Sequence, residues 1–216
     1  MSQPPTQPKL YHITRVENLP GMMAAGGLWS DAERLRQDVT TNLIGMNKIK
    51  QRRMNLPVAC HPGTMVGEYV PFYFCPRSVM LYILSRNNHP EVNYRGGQDE
   101  IVHLQADLHA VVNWAQAQGV AWAGTVRNAG VEYDAGFFND VNDLSAIDWQ
   151  AVAASDFRSP HVSEKKQAEF LLHRFFPWSL VEAIGVKNDA LVDTVLAHGQ
   201  QAGHRLKVSQ QSTWYY

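Results

Sequence analysis

The chain of 216 residues carries few of the marks by which enzymes are usually recognised. Its two cysteines, Cys60 and Cys75, are too few for a disulfide framework or a cysteine-rich zinc site. No apolar run approaches the roughly 18 residues that a membrane-spanning helix needs, so no membrane association is expected. The opening residues, Met1 to Arg15, are polar and proline-rich, without the basic start and apolar stretch of a secretory signal, and a cytoplasmic protein is expected. There is no glycine-rich phosphate loop of the Walker or GxGxxG kind, no GxSxG elbow and no HExxH pair. The nine histidines are scattered, no two of them three or four residues apart, so no metal site is expected. Internal repeats and low-complexity tracts are also missing.

What is present is an ordinary globular composition: 45% apolar, 18% charged and 10% aromatic residues. A chain of this length buries about 70% of its unfolded surface, enough for a core without cross-links. Nineteen basic against twenty acidic side chains leave a net charge of −1, which argues against a general nucleic-acid coat. The distribution is less even. Residues 1–90 hold ten basic and five acidic side chains, residues 91–160 three and ten, and residues 161–216 six and five. The basic excess is densest in Lys48-Ile49-Lys50-Gln51-Arg52-Arg53, which suits either a solvated helix face or a grip on phosphate.

Residues 1–8, with Pro4, Pro5 and Pro8, read as a flexible lead-in to a single domain over 9–216. Patterning predicts strands at Lys9–Arg15, Tyr69–Cys75, Glu100–Leu104, Val120–Ala123, Ala183–Lys187 and Arg205–Ser209. It predicts helices at Asn18–Ala25, from Asp31 to Arg53 with a break near Thr40-Thr41-Asn42, and at Arg77–Ser85, Asp107–Gln118, Pro177–Glu182 and Asp189–His198. Leu56–Gly67 and Ala151–Ser163 read as loops. Lys165–Phe176 suits a helix or a core strand equally well. Short strands interleaved with short helices make an α+β or mixed α/β fold.

Three polar residues interrupt segments that should be apolar: His12, Tyr73 and Glu169. Each has an ordinary account, as a satisfied core histidine, a packing aromatic and the solvent end of an element. Ionisable groups on core strands are costly unless paired or functional, so together they point to a site. His103 and His109, six apart, read as one core and one surface histidine.

Particular segments go further: Tyr11-His12-Ile13-Thr14 followed by Asn18-Leu19-Pro20-Gly21; Arg52-Arg53; Tyr69-Val70-Pro71-Phe72-Tyr73-Phe74-Cys75-Pro76-Arg77-Ser78; Gly96-Gly97-Gln98 before Ile101-Val102-His103-Leu104; Lys165-Lys166-Gln167-Ala168-Glu169-Phe170-Leu171; Pro177-Trp178; and Trp214-Tyr215-Tyr216. In this order, over nearly the whole chain, they resemble the DarT family, the DNA ADP-ribosyltransferase toxins of bacterial toxin–antitoxin pairs. The resemblance implies an ADP-ribosyltransferase-like fold of two small β-sheets forming an NAD-binding cleft among helices, and it places Glu169 at the start of a strand.

It also implies the chemistry. ADP-ribose passes from NAD⁺ to a thymine base in single-stranded DNA, through an oxocarbenium-like ribose akin to that of glycoside hydrolysis. Glu169 and Arg53 are then the catalytic residues, Glu169 by bonding the 2′-hydroxyl of the nicotinamide ribose. A guanidinium stays protonated in proteins, so Arg53 is expected to bind pyrophosphate and stabilise a deprotonated thymine electrostatically. His12, Ile13, Thr14, Gly21, Trp29, Arg53 and Tyr73 are the expected NAD⁺ contacts. Gln167, two before Glu169, shares its side of a strand and is expected to orient the substrate. Arg77, Met80 and Lys166 are candidate DNA contacts by their closeness in sequence to the matched strands. The partners implied are single-stranded DNA and a cognate antitoxin that hydrolyses the adduct. The alternatives are a transferase that modifies protein, or a non-catalytic NAD⁺- or nucleic-acid-binding module of the same fold.

Overall fold

Tyr11, Ile13 and Thr14 favour extended backbone, and Lys9–Arg15 forms β1, the middle strand of the main sheet. The computed structural model describes residues 3–39, 42, 44–131 and 133–216. After β1 come α1 (Leu19–Ala24), β2 (Gly27–Trp29), α2 (Asp31–Arg36), α3 (Asn47–Arg53), β3 (Tyr69–Tyr73) and α4 (Val79–Arg86). Then follow β4 (Ile101–Asp107), α5 (Leu108–Gln118), β5 (Trp122–Gly124), α6 (Trp149–Ala153) and α7 (Pro160–Lys165). The chain continues with β6 (Glu169–His173), β7 (Phe175–Pro177), β8 (Ala183–Val186), α8 (Asp189–Gln201) and β9 (Val208–Gln210).

The helix signals in the sequence are the ones the structure uses. Pro20 sits in the first turn of α1, where its missing N–H costs nothing. Ser30, Ser78, Asp107 and Asn188 accept backbone N–H bonds at the starts of α2, α4, α5 and α8. Gly119 closes α5 in the left-handed conformation.

The two sheets are unequal. Seven strands run in the order β5-β6-β3-β1-β4-β8-β9, and β2 pairs with β7 alone. The chain crosses from the large sheet to the small one at Arg174, whose φ of 64° is left-handed and strained for a side-chain residue. Three bonds hold that corner: Arg174 N–H to Glu68 O at 2.7 Å, Ser30 N–H to Arg174 O at 2.8 Å, and Arg174 Nε to Glu33 Oε1 at 2.6 Å. In β2, a Cβ at Gly27 would run into the Phe176 carbonyl, so only glycine lets β2 lie this close to β7.

Lys165–Phe176 resolves as the last residue of α7, then β6 and β7. Glu169 to Leu172 are all buried, because β6 lies between β5 and β3 and is covered on both faces. Such a strand has no alternation to read. Ala151–Ser163, expected as loop, holds the end of α6 and most of α7; Pro160 starts a helix there instead of breaking one. Pro177–Glu182, expected as a helix, is a single 3-10 turn at Trp178–Leu180. The helical stretch from Asp31 divides into α2 and α3; of its expected break, Thr40 and Thr41 lie outside the described residues. No helix among the described residues is long and apolar enough to cross a membrane.

His103 is 0% exposed and His109 is exposed, the division the sequence suggested. The His103 Nε2 proton is given to the Pro76 carbonyl at 2.9 Å, among the rings of Tyr11, Trp214 and Tyr215. Burial pulls its pKa from 6.5 to about 4. Between those values the unfolded chain takes up a proton that the folded chain refuses, so stability falls as pH drops through this window. The loss is worth roughly 3 kcal/mol at its end. Urea unfolding at pH 7 and pH 4.5 checks this: His103→Gln should lose distinctly less stability than the parent chain. Parallel losses in both would exclude His103 as the responsible group.

Candidate active site

Registry across β1, β3 and β6 sets the site. Tyr11 lies opposite Tyr73, and Tyr73 opposite Glu169. Beside this row opens a cleft of about 290 Å³. β1 contributes His12, Ile13 and Thr14 to its wall, α1 contributes Gly21, β2 Trp29 and β3 Tyr73. α3 adds Ile49, Lys50 and Arg53, which share one helical face. All seven residues expected to hold NAD⁺ therefore line one cavity, although they come from five elements.

Glu169 is 1% exposed and does not itself line the cleft; it lies behind Arg53, which does. Arg53 grips it with two bonds, Nη1 to Oε1 at 3.2 Å and Nη2 to Oε2 at 2.8 Å. The Ala129 backbone N–H adds a bond to Oε1 at 3.0 Å. Thr125 fixes the strand start, its Oγ1 accepting from Glu169 N at 3.0 Å and its own N–H donating to Glu169 O at 2.8 Å. Burial works against the Arg53 charge, but the Glu169 carboxylate outweighs it and holds the guanidinium above its ordinary pKa. Arg53 is thus a permanent cation and no proton acceptor.

The neighbouring groups have equally definite states. Burial, reinforced by the Glu169 charge, pushes the Tyr73 phenol well above its ordinary pKa, so it stays a donor. Burial pushes His12 down, against a raising bond to the Pro71 carbonyl at 2.9 Å. A carbonyl only accepts, so the ring proton sits on Nδ1 and Nε2 keeps a lone pair. His12 is therefore a neutral acceptor. Asp31 lines the cleft between two cations, with Lys50 Nζ at 3.1 Å and Arg34 Nη1 at 2.8 Å from its Oδ1. Burial raises its pKa, but Lys50 and Arg34 bring it below the ordinary value, so Asp31 remains ionised and keeps both cations at the cavity wall.

The basic stretch before Met54 is divided by the helix turn. Lys48 points outward to Glu91 at 2.8 Å, while Lys50 and Arg53 turn into the cleft. Among the DNA candidates, Met80 is on the cleft wall. Arg77 is outside it, over the Tyr216 ring at 4.4 Å. Lys166 is a correction: it is 2% exposed, with Nζ 2.7 Å from the Val152 carbonyl at the end of α6 and 3.6 Å from Cys75 Sγ, so it ties α6 to the segment that follows β3 and offers DNA nothing. Gln167 reaches the cleft from the turn after α7, not from a strand, accepting from Asn128 Nδ2 at 3.1 Å and donating to Ser163 O at 3.0 Å.

Sequence reasoning missed Asp31 and Asn128. Asp31 in the first turn of α2 looks like an ordinary helix-start acid. Asn128-Ala129-Gly130 did carry a signal, an Asx turn. Asn128 Oδ1 accepts from Gly130 N at 2.7 Å, which aims the Ala129 N–H at Glu169. Among the described residues no cluster of three His, Cys, Asp or Glu side chains could hold a metal ion.

Fold and cleft define an ADP-ribosyltransferase. The family model for DarT, ssDNA thymidine ADP-ribosyltransferase, matches residues 11–216. A DNA ADP-ribosyl transferase of Thermus aquaticus is 38% identical over 215 residues, 98% of this chain and 90% of that protein. The structure of Thermus sp. 2.9 DarT in complex with ADP-ribosylated ssDNA aligns with a TM-score of 0.89 at 34% identity, covering 100% of this chain and 99% of that one. The same Thermus protein in complex with NAD⁺ aligns at 0.83 and 32%, covering 99% and 100%. This chain belongs to the DarT family.

Asn128→Ala releases the turn that delivers the Ala129 N–H. Steady-state ADP-ribose transfer should show kcat down about ten- to a hundred-fold from misplacement of the carboxylate, with KM for NAD⁺ little changed. An unaltered kcat would remove Asn128 from the positioning of Glu169.

Proposed function

We propose that this chain cleaves the nicotinamide–ribose bond of NAD⁺ and transfers ADP-ribose to a thymine base in single-stranded DNA. The observation that carries this reading is the buried Glu169 carboxylate paired with Arg53 at the end of a cleft walled by His12, Ile13, Thr14, Gly21, Trp29 and Tyr73. One relative, Thermus sp. 2.9 DarT, is held with NAD⁺ in one structure and with ADP-ribosylated ssDNA in another, the substrate and product such a cleft must accept.

As the C–N bond breaks, its electron pair leaves with nicotinamide and positive charge grows on the ribose. Glu169 supplies the compensating negative charge through the ribose 2′-hydroxyl. Arg53 stands between Glu169 and the cavity, so NAD⁺ must draw it aside; its pyrophosphate, flanked by Lys50 and Arg34, is the group to do so. Arg53 remains a cation there, stabilising a thymine ring that gives up its nitrogen-bound proton to solvent. His12 accepts from a ribose hydroxyl or the carboxamide through Nε2, and Tyr73 stacks on or donates to the nicotinamide end. A base must be unpaired to turn its edge and ring into a cleft, which fits a single-stranded substrate.

Substrates of this kind, NAD⁺ and DNA, support a cytoplasmic location. Modified DNA is toxic unless repaired, so the protein acts as the toxin beside an antitoxin that hydrolyses the adduct.

Incubation with labelled NAD⁺ and separate pools of single-stranded DNA, duplex DNA, RNA and protein tests the reading. Label should join thymine-containing single strands, and Glu169→Ala should lower transfer by about 10²–10³-fold or more. Label on protein instead, or transfer that survives Glu169→Ala, contradicts it. Arg53→Lys should also lose most activity, without rescue by small exogenous bases; rescue would make Arg53 a proton acceptor after all.

A further inference from the structure

Arg15 and Arg127 also sit over aromatic rings but are ion-paired, whereas Arg77 makes no ion pair among the described residues. Its guanidinium lies 4.4 Å above the centre of the Tyr216 ring, and its buried Nε has no hydrogen-bond partner among the described residues. The Tyr216 hydroxyl returns to the same segment, donating to the Arg77 carbonyl at 2.8 Å. Two more rings complete the group: Tyr82 meets Phe157 at 5.3 Å and Tyr216 at 5.2 Å, each edge to face. Tyr82 is 38% exposed, and Phe157 and Tyr216 are half-buried.

This cluster continues the cleft. α4 buries Leu81 and Leu84 and turns Val79, Met80 and Ile83 into the cavity wall, leaving Tyr82 as the large apolar residue of that helix that faces water. Tyr216 packs against the same small core as Tyr73, Met80 and Ile83. An aromatic face beside a cation that has no carboxylate partner among the described residues matches one chemistry in particular. An unpaired base offers a ring to stack and its phosphate a negative charge.

We propose that Tyr82, backed by Phe157 and Tyr216, is a stacking subsite for an unpaired base next to the thymine that enters the cleft, with Arg77 meeting the phosphate between them. The inference rests on the proposed transfer to single-stranded DNA and deepens it by saying where the neighbouring nucleotide goes. An aromatic platform accepts any base, so this subsite secures the strand and leaves sequence choice to the cleft.

The test is binding of a fluorescently labelled, thymine-containing single strand to the full chain without NAD⁺, followed by anisotropy. Tyr82→Leu keeps a good helix former and apolar bulk but removes the ring. It should raise Kd about ten-fold, while Tyr82→Trp should hold the parent value. A strand with abasic sites on both sides of the thymine should bind the parent chain with a similar loss, and Tyr82→Leu should weaken it no further. Unchanged binding by Tyr82→Leu overturns the proposal. So does an equal loss on the base-bearing and abasic strands, since the ring would then not be stacking on a base. ADP-ribose transfer to the same strand is scored separately. Ring-dependent binding without transfer would sink the proposed function and spare the subsite; transfer with ring-independent binding would do the reverse.

Discussion

A carboxylate and a guanidinium buried against each other at the inner end of the cleft set the terms for the rest of this molecule. Stranding either alone in apolar surroundings would cost on the order of 3–5 kcal/mol. The fold keeps them together by converging three elements on one point. β6 carries Glu169 into the interior between β3 and β5, α3 brings the side chain of Arg53 onto it, and the turn at Asn128 meets the carboxylate with a backbone N–H. Much of what looks incidental, including the Thr125 bonds to the start of β6, serves to hold that carboxylate still.

The same burial gives the cleft a fixed set of charge states. Arg53 is held positive by Glu169, Tyr73 is held protonated, His12 is held neutral with its lone pair outward, and Asp31 is held negative by Lys50 and Arg34. None depends on fine tuning near neutral pH. A site arranged this way favours electrostatic stabilisation of a sugar cation over proton shuttling, in keeping with a reaction whose central event is the departure of a neutral base from a charged dinucleotide.

How much of this could be read from the residues alone depends on how local the signal is. β1, β3, α4, α5 and α8 follow period, caps and turn residues, and they appear close to where the patterning puts them. β6 could not be assigned by period, because a strand covered on both faces alternates in nothing. β2 was invisible as a three-residue strand that exists through Gly27 and its approach to β7. His12, Tyr73 and Glu169 stood out as polar interruptions of apolar strands, and the family resemblance supplied Arg53, Gly21 and Trp29. Lys166 shows the opposite failure: a lysine beside Lys165 looks like surface, and only tertiary packing against Val152 and Cys75 reveals it as interior. Asp31 and Asn128 act through contacts distant in sequence, which no local pattern encodes.

The central claim is that Glu169 meets the nicotinamide ribose once substrate has drawn Arg53 aside. A crystal structure of this chain with a non-cleavable NAD⁺ analogue tests it directly. The account predicts a Glu169 carboxylate oxygen within hydrogen-bond distance of the ribose 2′-hydroxyl, and Arg53 contacting the pyrophosphate with at least one of its bonds to Glu169 given up. A carboxylate still doubly gripped by Arg53 and out of reach of the ribose would contradict it.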